Sequence, residues 1–157
     1  MYTYKRTIKS GDMIEVEYYQ SIRKIGKNYG GRKSNNSLSP AKMRKANKLR
    51  AVKRMQRLIN ANFGSGDFFC RFSAPYGTYE SEKEFRAEVG KWLYRINYRR
   101  KKQGKGRLKY IAFIECGKSG KNWHIHIIVS KEDRELLSEQ WPYENGQNFT
   151  PLYKNEN

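Results

Sequence analysis

Three consecutive stretches decide how this chain folds: Leu108-Lys-Tyr-Ile-Ala-Phe-Ile-Glu115, Cys116-Gly-Lys-Ser-Gly-Lys-Asn122 and Trp123-His-Ile-His-Ile-Ile-Val129. The outer two are apolar and rich in β-branched and aromatic residues, and the middle one is a short Gly-containing connection. That pattern predicts two strands joined as an antiparallel hairpin. Side chains two apart on a strand share a face. His124 and His126 therefore point one way, and Ile125, Ile127 and Val129 the other, toward a helix-packed core.

Working outward, Phe68-Phe-Cys-Arg-Phe-Ser73 reads as a short strand ended by Pro75 and Gly77. A helix is predicted from Glu80 to about 102, with Phe85, Val89, Trp92, Leu93 and Ile96 as its buried stripe. Its acidic residues gather early and its basic ones late, as the helix dipole favours. A short helix follows at 131–140, and Phe149 to Tyr153 can enter a last strand. The order from residue 67 is strand, helix, strand, strand, helix, strand. This is an α+β class, a ferredoxin-like split β-α-β antiparallel sheet.

The first 66 residues read as an extension: one strand at 13–19, a basic loop over 20–39, and a basic helix. Ser39-Pro40 opens the helix, because serine caps free N–H groups and proline in the first turn loses nothing. Ala46, Leu49, Val52, Met55 and Ile59 recur at helical spacing to about residue 62. Lys42, Arg44, Lys45, Lys48, Arg50, Lys53, Arg54 and Arg57 occupy the other faces, with no Asp or Glu between 41 and 62. A solvated charged face would explain the helix, and so would contact with DNA phosphates. The density of charge favours DNA.

Across all 157 residues, 33 Lys plus Arg stand against 15 Asp plus Glu, a formal net charge of +18. Such an excess implies a polyanionic partner, and nucleic acid is the common one. An anionic membrane is disfavoured, because the apolar stripe of the basic helix is narrow and lacks bulky aromatics. No run approaches the roughly 18 apolar residues of a membrane span, and the first residues lack a signal-peptide core. The expected location is cytoplasmic. Cys70 and Cys116 lie outside any CxxC pair and read as buried thiols in a reducing compartment.

His124 and His126 are the two histidines of the chain, and Glu115 ends the neighbouring strand. Histidine on a strand is usually a surface or core residue, and a pair two apart also arises by chance. Here the pair sits in the best-defined hairpin of a very basic chain, with a carboxylate in reach of the same face. Two imidazoles and one carboxylate can hold Mg²⁺ or Mn²⁺, and zinc also fits chemically. Beside a phosphate, such an ion binds a nonbridging oxygen and polarises the phosphorus.

The strand ending in Glu115, the Gly-containing turn and the His-Ile-His-Ile-Ile-Val run resemble the HUH endonucleases, and more narrowly the rolling-circle replication initiators of small plasmids and filamentous phages. The likeness extends to IEVEYYQSIRKIGK, to SPAKMRKANKLRAVKRMQRLINANF and to the strand at 68–73, where CRFSAPYG replaces the usual threonine-rich wording. The resemblance implies a nickase that cuts one DNA strand at an origin without ATP. A tyrosine joins to the new 5′ end, leaving a free 3′-hydroxyl for the host replication machinery to extend. It implies that Glu115, His124 and His126 bind the metal, Mn²⁺ or Mg²⁺, and that the partner is single-stranded or hairpin origin DNA.

The nucleophile departs from that pattern. Initiators of this kind carry it on a helix well downstream of the histidines, often as Tyr-x-x-Lys. Tyr143 follows Trp141-Pro142, a helix-breaking context, and Tyr153 lies in a Pro-started segment before Lys154. The leading expectation is that residues 67–157 form an HUH-type core cut short before its tyrosine. Use of Tyr153, or a DNA-binding relative that does not nick, are the alternatives. Other readings stay open. One is a non-catalytic DNA- or RNA-binding module, though such sheets usually show aromatics on the open face. A relaxase would use Tyr2 or Tyr4 but wants a third histidine, and a transposase of the same superfamily is the last. Arg99-Arg-Lys-Lys102 can flank a DNA groove, and Tyr76, Tyr79 and Trp123 can stack on bases or fill the core.

Overall fold

A computed structural model describes residues 1–22 and 40–152. They form two compact units, Met1–Asn62 and Phe63–Asn157. Much of the loop read at 20–39, the Ser39 cap and Tyr153 lie outside the described residues.

The first unit holds two strands where the sequence reading finds one. β1 (Tyr2–Ser10) and β2 (Met13–Ser21) pair antiparallel, with Ser10 opposite Met13. The turn between them is Gly11-Asp12. Gly11 has φ +59°, and a Cβ there would come within 2.0 Å of the Asn60 carbonyl oxygen. Only glycine fits both demands. α1 spans Pro40–Asn62, as its spacing predicts, but none of its residues is buried. Leu49, Val52 and Met55 are about half exposed, so the expected apolar stripe is not a core face within this unit. One helix on a two-stranded ribbon has too little apolar surface to enclose it. Polar contacts compensate in part: Arg57 pairs with Glu15 at 3.0 Å, and Lys53 with Glu17 at 2.6 Å.

The second unit is the ferredoxin-like α+β domain. Its elements are β3 (Phe68–Ser73), α2 (Glu82–Lys102), β4 (Tyr110–Cys116), β5 (Trp123–Val129), a 3₁₀ turn (Lys131–Asp133), α3 (Arg134–Gln140) and β6 (Gln147–Pro151). The sheet order is β4-β5-β3-β6, antiparallel throughout. α2 starts two residues later than expected because Ser81 is its cap, its side chain accepting from the Glu84 N–H. The stripe Phe85, Val89, Trp92 and Ile96 is buried as the spacing predicts, and Leu93 is half-buried.

The core lies between the helices and one face of the sheet. Phe72 is fully enclosed, its ring 4.8 Å from Trp92, 5.3 Å from Trp141 and 5.5 Å from Phe149. The Trp92 indole N–H donates to the Leu137 carbonyl at 3.2 Å, tying α2 to α3. Cys70 is buried, but Cys116 is only half-buried. No helix among the described residues is long and apolar enough to cross a membrane.

Candidate functional site

Strand alternation divides β5 between two environments. Ile125, Ile127 and Val129 are buried against the helices, while His124 and His126 stand on the opposite, open face. The register then brings Glu115 of β4 directly across from His124, and Phe113 across from His126. The Glu115 carboxylate oxygen Oε2 lies 3.4 Å from His124 Nε2 and 3.3 Å from His126 Nε2. One donor atom from each of the three residues lies within 4.8 Å of the other two.

Each ring is oriented by its surroundings. His124 Nδ1 lies 3.2 Å from the Asn122 carbonyl, so a proton on Nδ1 is held there and the Nε2 lone pair faces Glu115. His126 is sandwiched between Phe69 (ring centroids 5.2 Å apart, 17° between planes) and Phe113 (4.9 Å, 22°). That sandwich buries His126 Nδ1 with no hydrogen-bond partner. Burial, and then the neighbouring His124, push the His126 pKa below its ordinary value, against the pull of Glu115. The ring is thus held neutral, the form in which imidazole binds a metal.

The donor set fits a divalent cation. Donors about 2.0–2.2 Å from a common ion are separated by about 3.0–3.4 Å at tetrahedral or octahedral angles. Both carboxylate–imidazole separations fall in that range. Oxygen plus two nitrogens, half-exposed with room for further ligands, suits Mg²⁺, Mn²⁺ or Zn²⁺.

Residues that the sequence reading passes over complete this face. Arg71 of β3 is the cross-strand neighbour of His126, is exposed, and is among the charges that depress the His126 pKa. Phe69 shares its face, as do Asn148 and Thr150 of β6, whose side chains hydrogen-bond each other at 3.2 Å. Alternation in Phe68–Ser73 marks Phe69 and Arg71 as facing away from Cys70 and Phe72. It does not say which strand lies beside them.

Two of the proposed stacking residues are core residues instead. The Tyr79 hydroxyl bonds to that of Tyr143 at 2.6 Å, and the Trp123 indole N–H donates to the Tyr79 carbonyl at 3.1 Å. Both pack against the buried cluster around Phe85. Burial and the Tyr143 bond raise the Tyr79 pKa well above its ordinary value, which makes it a poor nucleophile. Tyr76 is exposed.

No curated protein and no solved structure matches the chain. Residues 77–154, which include β4, β5 and all three donors, match the model of a rolling-circle replication family, the ORF2-type replication-associated proteins.

Proposed function

We propose that the Phe63–Asn157 unit nicks one strand of DNA to initiate rolling-circle replication, using a divalent metal held by Glu115, His124 and His126. The observation that carries this reading is the convergence of those three donors on the open face of the sheet. The family match over residues 77–154 supports a role in replication, and the net charge of +18 supports a nucleic-acid partner.

His124 and His126 would offer neutral Nε2 lone pairs, and Glu115 would add negative charge. Bound there, a divalent ion would polarise a phosphodiester through a nonbridging oxygen. Arg71 lies beside the donors and would grip the same phosphate through its planar, two-pronged guanidinium. The tyrosine oxygen bonds to phosphorus as the bond to the 3′-oxygen breaks, and that oxygen leaves with a proton. The resulting phosphotyrosine ester stores the energy for religation. In the first unit, Lys53 and Arg57 are engaged by Glu17 and Glu15, while Arg44, Lys45, Lys48 and Arg54 are exposed along α1. These four would neutralise DNA phosphates.

A second reading, a non-catalytic nucleic-acid-binding sheet, draws on Phe69 and Phe113, which place aromatics on the open face after all. Calorimetry with Mn²⁺ on the full chain and on His126→Ala separates the two. The metal reading expects one ion per chain, lost in the variant. No Mn²⁺ binding by the unaltered chain, with or without DNA, would leave only the second reading.

A further inference from the structure

On the other side of the second unit, a groove of about 860 Å³ runs along the C-terminal half of α2. Tyr94, Tyr98, Lys101, Lys102, Lys105 and Arg107 line it, and its lining includes no carboxylate. We propose that this groove binds single-stranded DNA, at a site separate from the three metal donors.

Tyr94 and Tyr98 are one helical turn apart on one face, about 6 Å along the axis. They are 71% and 50% exposed, which is wasteful for aromatic rings unless they meet a partner. The cations stand where phosphates of stacked nucleotides would lie. The Lys102 ammonium is 4.8 Å from the centre of the Tyr98 ring. Aromatic platforms flanked by cations suit unpaired bases, because every base has a face to stack and every nucleotide a phosphate to neutralise. A duplex hides those faces.

The groove is built before any ligand arrives. Its far wall is the turn after α2, closed by Gly104 at φ +70°. Arg100 Nε donates to the Gly106 carbonyl at 2.8 Å, and Asn97 Oδ1 accepts from the Leu108 N–H at 2.8 Å. Arg100 is itself held by Asp133. Little ordering is left for the ligand to induce.

The groove also continues. Gly90 and Leu93 line both it and a second cleft of about 500 Å³ that follows edge strand β4 to Arg86 and Phe113. Phe113 is the ring stacked on His126. A strand leaving the tyrosines would pass around the sheet edge toward the donors. This delivery role rests on the nicking reading, whereas binding in the groove does not.

The test is fluorescence anisotropy of a labelled 20-nucleotide oligo(dT) and of a duplex of equal length, with the full chain in EDTA. The double variant Tyr94→Ala/Tyr98→Ala should bind the single strand about tenfold or more weakly and the duplex unchanged. Tyr94→Phe/Tyr98→Phe, which keeps both rings, should bind like the unaltered chain. Replacing Lys101, Lys105 and Arg107 by Gln should lower the single-strand salt slope by about two. Equal losses on single strand and duplex, no loss on either, or tighter binding of oligo(U) than of oligo(dT) would overturn the proposal. Because metal is absent, failure of the metal reading leaves this result untouched. His126→Ala should retain groove binding.

Discussion

The two faces of one sheet should respond in opposite ways to the same truncation. Phe72 and Phe113 are both phenylalanines of the β3–β5–β4 ladder. Phe72 is wholly buried and touches three aromatic rings, whereas Phe113 is 52% exposed and touches His126. Phe72→Ala removes the full side-chain burial and leaves a cavity, which costs about 3–5 kcal/mol. Three ring contacts, each about 0.5–1.5 kcal/mol, place it toward the upper end. Phe113→Ala loses one stack and half a side chain of burial, about 1 kcal/mol. All three tryptophans, Trp92, Trp123 and Trp141, lie in the second unit, so their fluorescence during urea unfolding reports on that unit alone. With a slope of about 1–1.5 kcal/mol/M, Phe72→Ala should lower the midpoint by about 2 M or more, and Phe113→Ala by less than about 1 M. Mn²⁺ titration should reverse the ranking among folded molecules, since only Phe113 helps hold the His126 ring. Equal midpoint shifts, or Mn²⁺ affinity insensitive to Phe113, would refute the assignment of faces.

Arg71→Ala should leave Mn²⁺ binding intact but lower the salt slope of single-stranded DNA binding by about 0.7, one phosphate contact. Arg71→Lys should restore the slope, and an unchanged slope in the alanine variant would remove Arg71 from the phosphate path. In the first unit, the Arg57 hydrogen bond holds Glu15 below its ordinary 4.5, and the Lys53 bond does the same for Glu17. Their folded-state pKa values are depressed, so the stabilisation is present above about 4.5 and fades as pH falls through the folded values. Carboxyl NMR titration should show both midpoints below 4.5, and Arg57→Gln should return Glu15 toward it. Burial pushes the Cys70 thiol up to about 12. A raised folded pKa means stability is intact below the ordinary 9.0 and declines from there toward about 12. At about pH 8, near the ordinary thiol pKa, a thiol reagent should modify half-buried Cys116 first and Cys70 only on unfolding; simultaneous modification would contradict the burial.

Much of this architecture can be read from local pattern alone. The alternation in Trp123–Val129 dictates that both histidines share a face and that Ile125 and Ile127 take the other, because a strand's period is two wherever it pairs. Spacing likewise marks the buried stripe of α2, and its length and the turn signals around it imply the βαββαβ order. β1 escapes such a reading because Tyr2–Ser10 has charged residues within its alternation, and its pairing depends on a glycine that must approach Asn60, far along the chain.

The composition of the site required more. That Glu115 stands opposite His124 follows from the hairpin register, which residues 108–129 contain. That Arg71 and Phe69 flank His126 follows from β3 inserting beside β5, a long-range pairing that no local period records. The same holds for Tyr79 and Trp123, whose aromatic character suits a base or a core equally. Only packing against Phe85 and Tyr143 settles them inside. Local sequence determined the direction in which each side chain points, since backbone geometry links neighbours. Tertiary structure decided what each one meets, since that depends on segments brought together only by burying a common core.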